Sequence, residues 1–151
     1  MSTATLNVQV SQDEAAILAV IADLHKAHQD KDAGAITAPF AADAAVFDLS
    51  PPLVHRGVRA REKQAWLDTW ETAIELEPRD LKITVSGDSA FCFGFVRMSG
   101  TPKAAGRPIS FWMRATMCLE RRGGGWQIVH EHTSVPFYMD GSLRPAFDLN
   151  P

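Results

Sequence analysis

The sequence has little that points to a nucleic acid, a membrane or an oxidising compartment. Its 151 residues carry 15 basic and 18 acidic side chains, a net charge of −3, and no basic stripe. No apolar run approaches the roughly 20 residues that a membrane span needs. Residues 1–10 lack the basic start and apolar core of a signal peptide. We therefore expect a cytoplasmic protein that contacts neither nucleic acid nor membrane.

Cysteine is scarce as well. The two cysteines, Cys92 and Cys118, lie in apolar segments, and their neighbours match no metal motif. We interpret both as buried free thiols rather than as a disulfide or a nucleophile. Ser134 lacks the Gly-x-Ser-x-Gly turn that exposes a nucleophilic serine.

The composition is that of one soluble domain, with 46% apolar and 22% charged residues. We expect a flexible arm over 1–10, a domain over 11–136 and a tail over 137–151. The capping box Ser11-Gln12-Asp13-Glu14 predicts that a first helix begins there and runs to about Asp30.

Two further helices are predicted, at about 33–40 and 58–74, with a short strand around 41–49 between them. Four consecutive antiparallel strands follow, since alternating segments are separated by turn residues. Helices and strands that are segregated in this way favour an α+β fold. We expect three N-terminal helices packed on a strongly curved, mostly antiparallel sheet that forms a cone.

The last strand, around 126–136, alternates after a Gly-Gly-Gly turn. Its alternation places His130 and His132 on one face with Ile128, and Glu131 on the other face. Pairing Leu119 with Ile128 sets His132 opposite Ala115 on that first face. The same face would collect these residues of the two preceding strands: Phe91, Phe93, Phe95, Arg97, Phe111, Met113, Met117.

This face is large and apolar with few polar groups, which fits either a small-molecule cavity or a plain core. The opposite face carries Trp112 and Val129, which suit a second subunit better than water, so we expect a homodimer.

Two segments resemble a known family: Ser50-Pro51-Pro52-Leu53-Val54-His55-Arg56-Gly57, and Gly125-Trp126-Gln127-Ile128-Val129-His130-Glu131-His132-Thr133-Ser134-Val135-Pro136. With the order of elements, they resemble the SnoaL-like branch of the nuclear transport factor 2-like (NTF2-like) superfamily, which includes ketosteroid isomerases. The resemblance implies a cone with a deep pocket and a homodimer through the outer sheet face. It implies no single activity, because this fold hosts isomerases, cyclases, dehydratases, hydrolases and association domains.

The resemblance to ketosteroid isomerases is partial. Asp48 stands nine residues before Gly57, as their general base does before its glycine. Their two oxyanion donors fall at Leu24 and Ala115, so an isomerase or lyase here would lack both. His132, opposite Ala115, would donate from nearby.

The candidate catalytic residues are therefore Asp48 and His132, for acid–base chemistry that needs no cofactor. The alternatives are an ordinary carboxylate at a strand end for Asp48 and a hydrogen-bonded core histidine for His132. The expected ligand is a small apolar or weakly anionic molecule, and Arg97 either holds the anion or lies in water at the mouth of the cavity. His130 and His132 would suit a metal, but no third ligand is evident, so no metal is expected. The alternative function is a non-catalytic dimerisation or association domain. The candidate ligand-binding residues are His28, Trp66, Trp70, Phe93, Arg97, Met113 and His130.

Overall fold

The computed structural model describes the backbone of residues 2–151 and the side chains of residues 12–151. Three helices precede most of the sheet: α1 (Ser2–Gln29), α2 (Ala33–Thr37) and α3 (Ala60–Leu67). The backbone of α1 begins well before the predicted start at residue 11, and the Ser11 side chain lies outside the described side chains. No helix in the described part of the chain is long and apolar enough to cross a membrane.

Six strands form one mixed sheet, in the order β2-β1-β6-β5-β4-β3. Within the described residues, the β1–β6 pair alone is parallel, and the other neighbouring pairs are antiparallel. The fold is thus α+β, as predicted. The bounds of the strands are β1 (Phe40–Phe47), β2 (His55–Arg56), β3 (Glu75–Ser86), β4 (Ser89–Gly100), β5 (Ile109–Arg122) and β6 (Gly125–Ser134).

The third helix is shorter than predicted and β3 is longer. Pro78, which was expected to end the helical region, lies within β3. Proline is tolerated there because β3 is an edge strand, whose only neighbour in the described sheet is β4. No described strand on its other side requires the backbone N–H that proline lacks.

The main core lies between the helices and the inner face of the sheet. Ile17 and Ile21 of α1 are buried with Leu119 and Ile128 of the sheet. Asp13 is 7% exposed, and its Oδ1 accepts from Nη2 of Arg121 at 2.7 Å, which ties α1 to the end of β5.

A bulge in β6 reverses the faces that alternation predicts. Leu119 pairs with Ile128 as predicted, but Cys118 pairs with His130, which leaves Val129 without a partner in this ladder. One extra residue in a strand shifts every later side chain to the other face. Beyond the bulge Glu131 therefore pairs with Met117 on the inner face. The prediction that His130 and His132 face inward is wrong.

The faces of β4 also differ from the prediction. Cys92 pairs with Met117 and Val96 pairs with Met113, so the small residues of β4 lie inside. Phe91 and Phe93, 44% and 45% exposed, lie outside. The register depends on the length and path of the loop before β5, which the pattern of apolar residues does not reveal. The predicted inward orientation of Phe91, Phe93, Phe95 and Arg97 is therefore wrong.

The tail after β6 folds back as a small hairpin. Phe137 bridges to Pro145, and the buried Ala146 donates its N–H to the carbonyl oxygen of Pro136 at 2.8 Å. The ring of Phe147 packs on that of Phe111, with centroids 4.6 Å apart. Phe111 lines a cavity between the helices and the sheet, so the tail packs against a residue of the cavity wall.

Candidate functional site

An inner cavity of about 290 Å³ lies between the helices and the inner face of the sheet. Most of its wall is apolar. Strands β3, β4 and β5 contribute Leu76, Val96, Met98, Ile109, Phe111, Met113, Ala115 and Met117. The helical side contributes Leu24, Trp66 and Trp70.

The polar groups of the cavity come from four elements. Glu131 and Thr133 project from β6 because of the bulge, and Asp48 directly follows β1. Lys63 lies on α3 and His28 on α1. The charges of Lys63 and Asp48 act on both Glu131 and His28, so these four groups share one electrostatic neighbourhood.

Glu131 is the most perturbed acid of the site. The described residues provide no hydrogen bond or ion pair to its carboxyl group. Burial raises the pKa of Glu131 from its ordinary value of 4.5 to about 7, the positive charge of Lys63 opposes this shift, and the negative charge of Asp48 adds to it. The carboxyl group of Glu131 is therefore partly protonated near neutral pH.

Asp48 lies at the rim of the cavity and remains exposed. Its Oδ1 accepts from the backbone N–H of Leu49 at 2.7 Å and lies 3.5 Å from the hydroxyl of Thr133. The carboxyl group borders the inner cavity and also a groove on the outer side of the sheet. It is accessible both to a bound molecule and to water.

His28 is held by its own helix. Its Nδ1 lies 2.8 Å from the carbonyl oxygen of Leu24, and its ring meets that of Trp66 edge-on at 6.0 Å. Burial lowers the pKa of His28 from 6.5 to about 4, partly opposed by the bond to Leu24. The imidazole is therefore neutral at neutral pH.

Lys63 supplies the positive charge of the site. Its Nζ lies 5.1 Å from the centroid of the Trp66 ring, and it forms no ion pair within the described part of the chain. It also borders a side chamber of about 130 Å³ next to α3. The residues that line both the inner cavity and this side chamber are Asp48, Ser50, Lys63, Trp66 and Glu131.

The structure brings five of the predicted site residues to the inner cavity: Asp48, His28, Trp66, Trp70 and Met113. Their roles in binding or catalysis stay predictions.

The two predicted histidines of β6 lie outside this cavity. Nδ1 of His130 lies 2.7 Å from the carbonyl oxygen of Ala45, and its ring packs edge-on against Phe47. His132 is exposed and borders the outer groove. The prediction that Asp48 and His132 face one inner cavity is therefore wrong, because the bulge turns His132 outward, and both residues border the outer groove instead.

Phe93 and Arg97 lie on the outer face as well. Arg97 forms an ion pair with Glu77, and its guanidinium lies 5.7 Å from the centroid of the Trp112 ring. Its charge is thus paired at the surface, which removes the basis for an anion held by Arg97 in the cavity.

Sequence reasoning missed Glu131 and Lys63. Beyond Ile128, polar residues occupy both faces of β6, so the pattern does not show which face turns inward. The adjacent apolar pair Ile128-Val129 interrupts strict alternation and was the available signal of a bulge. Lys63 carried no distinguishing pattern in a helix with many charges.

The side chains of residues 12–151 include no group of three or more His, Cys, Asp or Glu residues placed to hold a metal ion. Both cysteines are free thiols. Cys92 is buried in the core, and burial raises the pKa of its thiol to about 11.

Comparison with known families identifies the class of protein. The sequence profile of the SnoaL-like domain matches residues 17–138, and the chain belongs to this family. No curated protein matches the sequence significantly.

Solved structures show the same fold. An NTF2-like protein of unknown function from Pseudomonas putida KT2440 is 29% identical, with a TM-score of 0.82 over 93% of this chain and 98% of that one. A proposed dehydratase of the NTF2-like family from Streptomyces avermitilis is 17% identical, with a TM-score of 0.70 over 82% of this chain and 96% of that one.

A third similar structure is a proposed calcium/calmodulin-dependent protein kinase II association domain from Xanthomonas campestris. It is 18% identical, with a TM-score of 0.68 over 78% of this chain and 84% of that one. The similar structures thus include one protein named as an enzyme and one named as an association domain, and both share this fold.

Proposed function

We propose that this SnoaL-like protein binds a small, largely apolar molecule in the inner cavity and performs acid–base chemistry on it, of the isomerase or lyase type. Glu131 carries this proposal. An unpartnered carboxyl group inside an apolar cavity costs stability, and its pKa of about 7 is the value that suits proton transfer near neutral pH.

Asp48 and Glu131 would divide the two proton-transfer steps. Asp48, accessible at the rim, takes a proton from a carbon next to a carbonyl group of the substrate. Glu131, in its protonated form, donates to an oxygen of the substrate. Donation to a carbonyl oxygen gives an enol, which becomes an isomer when Asp48 returns its proton to a different carbon and Glu131 takes back the proton of the enol hydroxyl. Donation to a departing hydroxyl group leads to elimination of water. The Streptomyces neighbour named for a dehydratase is consistent with the second outcome.

Proton abstraction can be measured without knowledge of the natural substrate. In D2O, the protein should accelerate exchange of the carbon-bound protons beside the carbonyl of 2-tetralone, an apolar bicyclic ketone, as followed by NMR. We expect Asp48→Asn and Glu131→Gln each to reduce the enzyme-catalysed rate by about 100- to 10,000-fold. Since the protonated form of Glu131 is required, the rate should fall as the pH rises above about 7.

Asp43→Asn is the matched control. Asp43 lies on β1, the strand that ends directly before Asp48, but its side chain is exposed and hydrogen-bonded to Arg122. Its variant should exchange at the wild-type rate. Exchange that is no faster than in buffer, or that survives in both Asp48→Asn and Glu131→Gln, would refute acid–base chemistry at this site.

The outer sheet face favours a second function, association with another copy of this chain. Phe91 and Phe93 stack at 6.5 Å with nearly half of each side chain exposed, and Phe47 is 39% exposed on the same face. Arg97 beside them is already paired with Glu77. We propose that this face, with its exposed aromatic rings, forms a homodimer, which leaves the inner cavity of each copy free.

A further inference from the structure

We infer that the inner cavity takes a neutral, largely apolar ligand bearing a hydroxyl or N–H group, and that this group donates a hydrogen bond to Nε2 of His28. This inference rests on the proposed function, because it names the chemical class of the molecule that enters the same cavity. It makes His28 a residue that selects the ligand.

The bond between His28 and Leu24 determines which ring nitrogen carries the proton. A carbonyl oxygen can only accept, so Nδ1 must donate across the 2.8 Å that separates it from the oxygen of Leu24. A neutral imidazole has one N–H group, so Nε2 is left with a lone pair and no proton. In this state His28 accepts hydrogen bonds and cannot donate one from Nε2.

Nε2 is the unpaired ring nitrogen of a side chain that lines the cavity. It has no hydrogen-bond partner in the described part of the chain, and it is not among the buried polar atoms that are sealed from solvent. His28 lines the cavity, and burial keeps its imidazole neutral. A ligand group that faces Nε2 must therefore donate a hydrogen bond. An ether or carbonyl oxygen at this position would be repelled by the lone pair of Nε2.

The charges around the cavity disfavour an anion. Two carboxyl groups, of Asp48 and Glu131, face the cavity with one ammonium group, of Lys63. Arg97, the cation expected to hold an anion, is paired on the outer face. The remaining wall is apolar, and a volume of about 290 Å³ is near the lower end of typical ligand pockets, so a bicyclic molecule is a suitable size.

Three naphthalene probes of nearly equal size separate these contributions: 2-naphthol, 2-methoxynaphthalene and 2-naphthoate. Binding to the full chain at neutral pH can be measured by isothermal titration calorimetry. We expect 2-naphthol to bind about 2- to 12-fold more tightly than 2-methoxynaphthalene, the difference that one hydrogen bond supplies. We expect 2-naphthoate to bind more weakly than both.

Substitution of His28 assigns the preference to this residue. His28→Phe keeps a ring against Trp66 and removes the acceptor, so 2-naphthol and 2-methoxynaphthalene should bind equally. His28→Gln restores an acceptor and should restore part of the preference. His132→Phe, which changes an exposed histidine that borders the outer groove and not the inner cavity, should keep it. In the wild-type protein, the nitrogen-15 NMR signal of His28 Nε2 should shift on addition of 2-naphthol and stay in place with 2-methoxynaphthalene.

Each other outcome overturns the inference. Equal affinities for 2-naphthol and 2-methoxynaphthalene in the wild type, or tighter binding of 2-naphthoate, would show that the cavity does not select a neutral donor. A preference that persists in His28→Phe would assign it to another residue. Binding of all probes without preference would leave the proposed function intact, whereas binding of none would refute both.

Discussion

Cys118 of β5 lies opposite His130 of β6, although Leu119, its neighbour in sequence, lies opposite Ile128. The two pairs differ by one residue on β5 and by two on β6, so Val129 is the extra residue of a bulge. If Val129 took part in regular alternation, His130 and His132 would face the cavity, and its exclusion from the ladder turns Glu131 inward instead. The chemistry of the site therefore depends on a local irregularity of the backbone.

Deletion of Val129 tests this account. Without the extra residue, β6 would alternate regularly from Ile128 to His130 and still direct Glu131 inward. We expect the deletion variant to fold and to keep the raised pKa of Glu131, as measured by carbon-13 NMR of its carboxyl group. An ordinary pKa near 4.5 in this variant would contradict the bulge as described.

The sequence predicted the α+β class, the Leu119–Ile128 pairing and the inner residues of β5, because these depend on long, regular apolar patterns. It did not predict the faces of β4 or of the end of β6. The face of a strand depends on its register with its neighbours, and a bulge or a loop path reverses it without changing composition. Asp48 was found by resemblance, whereas Glu131 required the register.

The pKa of Glu131 also predicts how stability changes with pH. Folding raises the pKa from 4.5 to about 7, so the unfolded chain loses this proton first as the pH rises. The folded state is then penalised progressively between about pH 4.5 and 7, by an amount on the order of 3 kcal/mol at higher pH.

Glu131→Gln should remove this penalty. Relative to wild type, we expect the variant's free energy of unfolding to increase from pH 4.5 to 7 and to level off above 7, as measured by urea denaturation at each pH. Comparison with wild type at the same pH cancels the contributions of other groups, including His28. A difference that does not change across this range would indicate an ordinary pKa for Glu131.

The proposed homodimer predicts a mass of about twice the 16.6 kDa of one chain in sedimentation at micromolar concentration. Phe93→Lys, on the outer face, should shift the protein toward the monomer, since a charge would replace a buried ring. Leu143→Lys changes an exposed apolar residue of the tail and should leave the dimer unchanged. A wild-type monomer would refute association through the sheet.

The most direct test of the central claim is titration of the Glu131 carboxyl group in the wild-type protein. Carbon-13 labelling of glutamate, with Glu131→Gln to assign the signal, gives the pKa of this side chain alone. We predict a midpoint near pH 7, which falls when Asp48→Asn removes the neighbouring negative charge. A midpoint near 4.5 would show that Glu131 is solvated like a surface carboxylate, and the cavity would then lack the acid on which the proposed chemistry depends.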